Sequence, residues 1–213
     1  MTRRPRLAAL LGAAAVALSA CGGGAAASGH DHSAPASVSA VKGVYDGLNL
    51  PQPYQRPRFT LTDTAGAPFD FGTATKGRPT LLFFGYSTCP DVCPTTLADI
   101  AVALRTLDRA LAGQVQVVFV TTDPAHDTQP VLREYLDRFD ADLPVTFTGL
   151  TGSQHDIDRA QLAAGVPVAE DGGHTHSALL LLYGSDDRAH VAFDAGNTPA
   201  DIAHDLGVVA AGS

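Results

Sequence analysis

Cys89 and Cys93 are the residues best equipped for chemistry. They lie in the run Gly85-Tyr86-Ser87-Thr88-Cys89-Pro90-Asp91-Val92-Cys93-Pro94, between an apolar, strand-like segment at 80–84 and an amphipathic, helical segment from about residue 95. Two thiols therefore stand where a strand hands over to a helix. A helix N-terminus exposes unpaired N–H groups and a partial positive charge, and both favour thiolate over thiol. Thiolate is the form that attacks disulfides and binds soft metals. Three uses are open to the pair: a small structural disulfide, a redox couple, or part of a metal site. The Cys-x-x-x-Cys spacing is one residue longer than the redox Cys-x-x-Cys motif, and on a helix positions i and i+4 share a face, so both sulfurs can converge on one point.

Other candidates lie further along. Gly172-Gly173-His174-Thr175-His176-Ser177 precedes an apolar segment at 178–183. His176 by itself reads first as a plain histidine at a strand edge, because lone histidines are usually structural or solvated. Strand residues alternate sides, so His174 shares the side of His176 only if the strand extends back that far. Asp123 and Asp127 stand in Val120-Thr121-Thr122-Asp123-Pro124-Ala125-His126-Asp127-Thr128. On physical grounds Asp127 with Thr128 is a helix start. The tripeptide His30-Asp31-His32 can hold a divalent ion weakly or serve as a solvated polar patch.

The elements that must position these groups follow from periodicity. Segments 59–62 and 68–71 flank Ala65-Gly66 as a β-hairpin would. Leu97, Ile100, Ala101, Leu104, Leu107 and Leu111 recur at helical spacing until Gly113, and 115–120 is a second β-rich run. Thr128 caps a helix with Val131, Leu132, Tyr135, Leu136 and Phe139 on its apolar side. A short strand is expected at 144–150, and a helix at about 153–164 with Ile157 and Ala160 inward. Strands at 178–183 and 189–193 surround Gly184-Ser185-Asp186-Asp187. Thr198 and Pro199 open a last helix.

Strands alternating with helices, then a hairpin and a final helix, give the βαβαββα order of a thioredoxin-like fold. This is an α/β class with a central mixed sheet flanked by helices, extended by an N-terminal β-hairpin and an inserted helix-strand unit. Proteins of that fold carry their dithiol at this strand-to-helix junction, and the strand that follows His176 starts close to it. Two thiolates and one imidazole make an S₂N donor set. Soft sulfur donors suit Cu(I), the imidazole admits Cu(II), and zinc would want a fourth ligand.

The combination of Cys89-Pro90-Asp91-Val92-Cys93-Pro94, the run 120–128 and His176-Ser177 resembles the Sco/SenC family of copper-binding proteins over about residues 55–207. The resemblance implies a thioredoxin-like, membrane-anchored, extracytoplasmic protein that helps deliver copper to the CuA centre of cytochrome c oxidase. It also implies copper ligation by Cys89, Cys93 and His176. Its partners would be the CuA-bearing subunit or another copper chaperone. Many members have Asp just before the distal histidine, where this chain has Thr175, so a carboxylate that could tune the site is replaced. The competing function is a thiol–disulfide oxidoreductase that uses Cys89 and Cys93 on the acceptor's cysteines. A thiol peroxidase would need an arginine beside its reactive cysteine, and none is near Cys89 in the sequence.

Residues 1–20 carry Arg3, Arg4 and Arg6, an apolar run at 7–18 and small residues before Cys21. This pattern predicts a lipoprotein signal peptide with lipid attached to the Cys21 sulfur, in competition with ordinary cleavage nearby; a twin-arginine signal matches poorly because Pro5 and Arg6 follow the Arg pair. Export places Cys89 and Cys93 where a disulfide can persist. The Gly, Ala, Ser and Pro of 22–40 cannot form a core, so 21–54 is expected to be a flexible tether and 55–213 the folded domain. Without 1–20 the chain has 11 basic residues against 22 acidic ones, a net charge of about −11. That balance argues against nucleic acid or anionic lipid as a partner and favours a cationic or metal-bearing one.

Overall fold

The computed structural model describes residues 43–212. The expected signal peptide, Cys21 and the His30-Asp31-His32 tripeptide lie outside them. The chain runs through β1 (Leu48–Gln55), β2 (Thr60–Asp63), β3 (Pro68–Asp70), α1 (Phe71–Ala74), β4 (Thr80–Gly85), α2 (Val92–Thr106), α3 (Arg109–Ala112) and β5 (Gln116–Thr121). It continues with α4 (Gln129–Asp140), β6 (Thr148–Thr151), α5 (Gln154–Ala163), β7 (Leu180–Tyr183), β8 (Arg188–Phe193) and α6 (Pro199–Ala211). Among the described residues the strands form one eight-stranded sheet in the order β1-β8-β7-β4-β5-β6-β2-β3.

β4 is apolar after Thr80 because the sheet is covered on both faces there, and all six of its residues are buried. Leu81 and Phe83 enter a core with Leu97, Ile100 and Leu104 of α2, Leu132 and Leu136 of α4, and Leu206 of α6. Leu82 and Phe84 enter a second core with Ile157 and Ala160 of α5 and with Phe71. β4 pairs in parallel with β5 and antiparallel with β7. The βαβαββα core is therefore present, with α4-β6 inserted and the β2-β3 hairpin joined to β6. No helix among the described residues is long and apolar enough to cross a membrane.

Four local expectations are corrected. The ordered domain reaches back past residue 55, because β1 pairs with β8. Pro51 and Pro53 are tolerated there since β1 is an edge strand. The helical pattern ending at Gly113 is split, because Leu107 is extended and the Asp108 carboxylate caps α3 by accepting from the Ala110 N–H. β6 begins only at Thr148, leaving Pro144 and Val145 outside it. β7 begins at Leu180, so the segment of His174 and His176 is irregular and strand alternation does not decide between them.

Candidate metal centre

The site forms at the end of the sheet where the interior strands β4 and β5 finish and β7 begins. α2 starts at Val92, earlier than residue 95, which puts Cys93 and Pro94 in its first turn. Proline is tolerated there because the N–H it lacks would have no helical partner. Cys89 precedes the helix. The i, i+4 explanation for the approach of the two sulfurs is thus corrected: the loop folds back so that the Cys93 N–H donates to the Cys89 Sγ at 3.4 Å. A helix N-terminus holding a sulfur is what the sequence reading required, reached by a different geometry. Both cysteines are free.

Cys93 is fully buried, and its place depends on Gly85. A Cβ at Gly85 would fall 2.6 Å from the Cys93 Sγ and 3.1 Å from the Phe119 ring. The loop above is held by Asp127, which is also fully buried. Its carboxylate accepts from the Ser87 N–H at 3.0 Å, from the Ser87 hydroxyl, and from the Thr121 hydroxyl at 2.6 Å. Asp127 therefore ties the cysteine loop to the end of β5, a role that its reading as a helix start missed. The short run from a strand end to a buried carboxylate was the available signal.

The histidine segment is fixed by different means. Gly173, at φ +99°, lies so close to β5 that a Cβ would be 2.0 Å from the Thr122 carbonyl oxygen. The Thr122 hydroxyl donates to the Gly173 carbonyl at 2.7 Å. His176 then reaches the thiols, with its Nε2 3.6 Å from the Cys93 Sγ. Its Nδ1 lies 2.9 Å from the Ser177 carbonyl oxygen. A carbonyl only accepts, so Nδ1 carries the proton and Nε2 presents a lone pair to the sulfurs. The rings of Phe83 and Tyr86 meet His176 edge-on at 6.4 and 5.6 Å.

His174 is directed elsewhere. It stacks on Tyr86 at 4.6 Å, and its Nε2 lies 3.4 Å from the Asp123 carboxylate. The structure thus brings Cys89, Cys93 and His176 together and leaves His174 outside the cluster. The three donor atoms all lie within 4.8 Å of one another. A first-row ion with bonds of about 2.0–2.3 Å needs donors about 3.5–4 Å apart in a trigonal site, so small side-chain adjustments suffice.

The two thiols differ in charge state. Burial works against a charge on Cys89, but hydrogen bonds from the Asp91 and Cys93 N–H groups, the Cys93 thiol and the Tyr86 hydroxyl outweigh it and hold the thiol below its ordinary range. Burial pushes the Cys93 thiol far up, against the effect of a backbone hydrogen bond from Tyr86. Burial also pushes the His176 imidazole down, opposed by its bond to the Ser177 carbonyl, which favours the neutral ligand form. The Cys89 thiol therefore ionises more readily than the Cys93 thiol, which burial keeps protonated, and burial favours the neutral form of the imidazole. Closing three bonds on a metal must release the Cys93 proton.

A thioredoxin-like domain with two thiols and an imidazole converging at its strand-to-helix junction defines a class of metal-binding or thiol-redox proteins. The family model described as SCO1/SenC matches residues 49–211, and the chain belongs to that family. It is 38% identical over 152 residues to a putative copper-binding protein of Stutzerimonas stutzeri, covering 68% of this chain and 72% of that protein. The structure of Bradyrhizobium japonicum ScoI with copper bound is similar at a TM-score of 0.60 and 35% identity, covering 73% of this chain and 99% of that one. Yeast Sco1 with copper bound is similar at a TM-score of 0.65 and 25% identity, covering 76% and 91%.

Proposed function

We propose that this protein binds copper through Cys89, Cys93 and His176 and supports assembly of the CuA centre of cytochrome c oxidase. It would do so on the extracytoplasmic face of the cell membrane, held by lipid on Cys21. The observation that carries the reading is the cluster of two Sγ atoms and an imidazole nitrogen within 4.8 Å, with the imidazole tautomer set for ligation. Copper would be cargo, taken up as Cu(I) or Cu(II) and passed to the CuA-bearing subunit or exchanged with another copper chaperone. The pattern of Arg3, Arg4 and Arg6, the apolar run 7–18 and Cys21 supports export and anchoring.

The inequality of the thiols favours a second reading, reduction of the acceptor's disulfide. The Cys89 thiolate would attack one acceptor sulfur, forming a mixed disulfide and releasing the other as a thiolate. Cys93, giving up its proton, would then attack the Cys89 sulfur. The products are a Cys89–Cys93 disulfide and a fully reduced acceptor, two electrons having passed to it. His176 separates the readings, because ligation needs it and exchange does not.

Reduced protein should bind about one copper ion and disulfide-oxidised protein almost none, since the ligands must be thiolates. In cells at low external copper, His176→Ala should lower CuA content as Cys89→Ser and Cys93→Ser do. Normal CuA content in the His176→Ala cells would overturn copper delivery and leave disulfide reduction.

A further inference from the structure

Beside the metal centre a groove of about 250 Å³ runs between the first turns of α2 and the β8–α6 loop. Val92, Leu180, Phe193 and Ile202 give it apolar walls, and Asp91, Asp99 and Asp194 add carboxylates. Asp91 opens α2 without a capping bond from its side chain. Among the described residues the Asp99 carboxylate has no hydrogen-bond or ion-pair partner, while Asp194 accepts from the Gly196 N–H at 2.8 Å. Burial holds Asp99 above the ordinary carboxylate range, as expected of a charge that lacks a neighbouring cation.

The groove adjoins the ligands on both sides. Asp91 and Val92 lie between the two cysteines in sequence, and Ala178, two residues beyond His176, also lines it. The segments that build this end of the sheet, 85–99, 121–128, 170–180 and 193–202, contain no lysine or arginine. They do contain Asp123, Asp127, Glu170, Asp171 and Asp201 besides the three carboxylates of the groove. This end of the domain therefore has fixed negative charge and no fixed cation to balance it.

We infer that the groove receives a lysine- or arginine-bearing segment of the protein that exchanges copper with Cys89 and Cys93. The aliphatic stem of such a side chain would lie along the apolar walls, and its charged head would reach the carboxylates. Charge complementarity of this kind fixes orientation and speeds encounter. Docked there, the partner's own ligands would approach the Cys89 side of the site, where the thiol is half-exposed. The identity of the partner as a copper acceptor rests on the proposed function; the cationic occupant of the groove does not.

The test has two arms, both on the full chain. In the first, isotope-labelled protein is titrated with an acetylated, amidated Lys-Leu-Lys peptide and with its norleucine-leucine-norleucine counterpart. Amide shifts should be confined to 91–99 and 193–197, appear only with the lysine peptide, and fall at least fivefold in the double variant Asp99→Asn, Asp194→Asn. Shifts of equal size with both peptides, shifts elsewhere, or none at all would overturn the groove.

In the second arm, copper-loaded protein is mixed with the soluble CuA-bearing domain of the oxidase. The double variant should transfer copper about tenfold more slowly with unchanged copper affinity. The pair Glu134→Gln, Asp158→Asn, which removes the same charge from other surfaces, should transfer as the unaltered chain does. Equal slowing in both pairs would overturn the groove in favour of diffuse attraction. If the unaltered chain transfers no copper, the proposed function fails, and the peptide arm still decides the groove.

Discussion

Cys93 and His176 reach the same point from opposite kinds of structure. Cys93 is packed into the core in the first turn of α2, against Gly85 of β4 and the Phe119 ring of β5. His176 stands on an irregular segment held by the hydrogen bond from the Thr122 hydroxyl to the Gly173 carbonyl and by the edges of two aromatic rings. The difference shows where each half draws its precision. The thiol side is fixed by close packing, in which one added methyl group has nowhere to go. The imidazole side is fixed by a few polar contacts to a strand end. Asp127 belongs to the first half although it lies between them, because it locks the cysteine loop onto β5.

The comparison breaks most directly at Asp127. Asp127→Ala leaves the Ser87 N–H and the Thr121 hydroxyl buried without their acceptor, which should cost about 2–4 kcal/mol of stability. Copper affinity should fall with it as the Cys89 loop loosens. Asp127→Asn retains an acceptor oxygen and should lose less on both counts. Urea unfolding and Cu(I) competition titrations measure the two effects, and equal stability of Asp127→Ala and the unaltered chain would show that the carboxylate is not the lock.

Gly85→Ala probes the packed side alone. The new Cβ must displace the Cys93 sulfur or the Phe119 ring, at about 1–3 kcal/mol for overpacking. Cu(I) affinity should drop, while a reporter on the other half, the Nδ1 proton resonance of His176, should keep its hydrogen-bonded position. Movement of that resonance by as much as the Cys93 signals would mean that the halves are not separately fixed.

A subtler contrast separates the two sulfurs. Alkylation by iodoacetamide should modify Cys89 first, with a rate that rises through a midpoint below the ordinary thiol value, since its thiolate is favoured by hydrogen bonds. Cys93 should stay unmodified across the same pH range, because burial holds it protonated. Mass-spectrometric peptide mapping reads both, and equal rates at the two sites would remove the distinction on which the exchange chemistry rests.

The parts of this arrangement that the sequence made legible were those carried by spacing. The apolar run of β4, the α4 face and the Thr198-Pro199 start of α6, where a full capping box forms with Asp201, follow from local pattern. The three donor residues were legible from their chemistry and their place at element junctions. Four features depended on contacts between distant segments. Asp127 looked like a helix start because its partner Ser87 is 40 residues away. Gly85 looked like the end of a strand because the sulfur it must clear arrives from the following helix. The separation of His174 from His176 depended on the partner Asp123, 51 residues from His174. β1 was hidden by its prolines, which only an edge position excuses.

The central claim is that one nitrogen, that of His176, and two sulfurs hold the metal. X-ray absorption of the copper-loaded protein, compared among the unaltered chain, His176→Ala and His174→Ala, tests it most directly. The account predicts two sulfur donors and an imidazole nitrogen in the unaltered chain and in His174→Ala. In His176→Ala it predicts loss of the imidazole scattering, with Cu(II) affinity falling on the order of a hundredfold or more and Cu(I) affinity much less. An unchanged imidazole signal in His176→Ala, or its loss in His174→Ala, would contradict it.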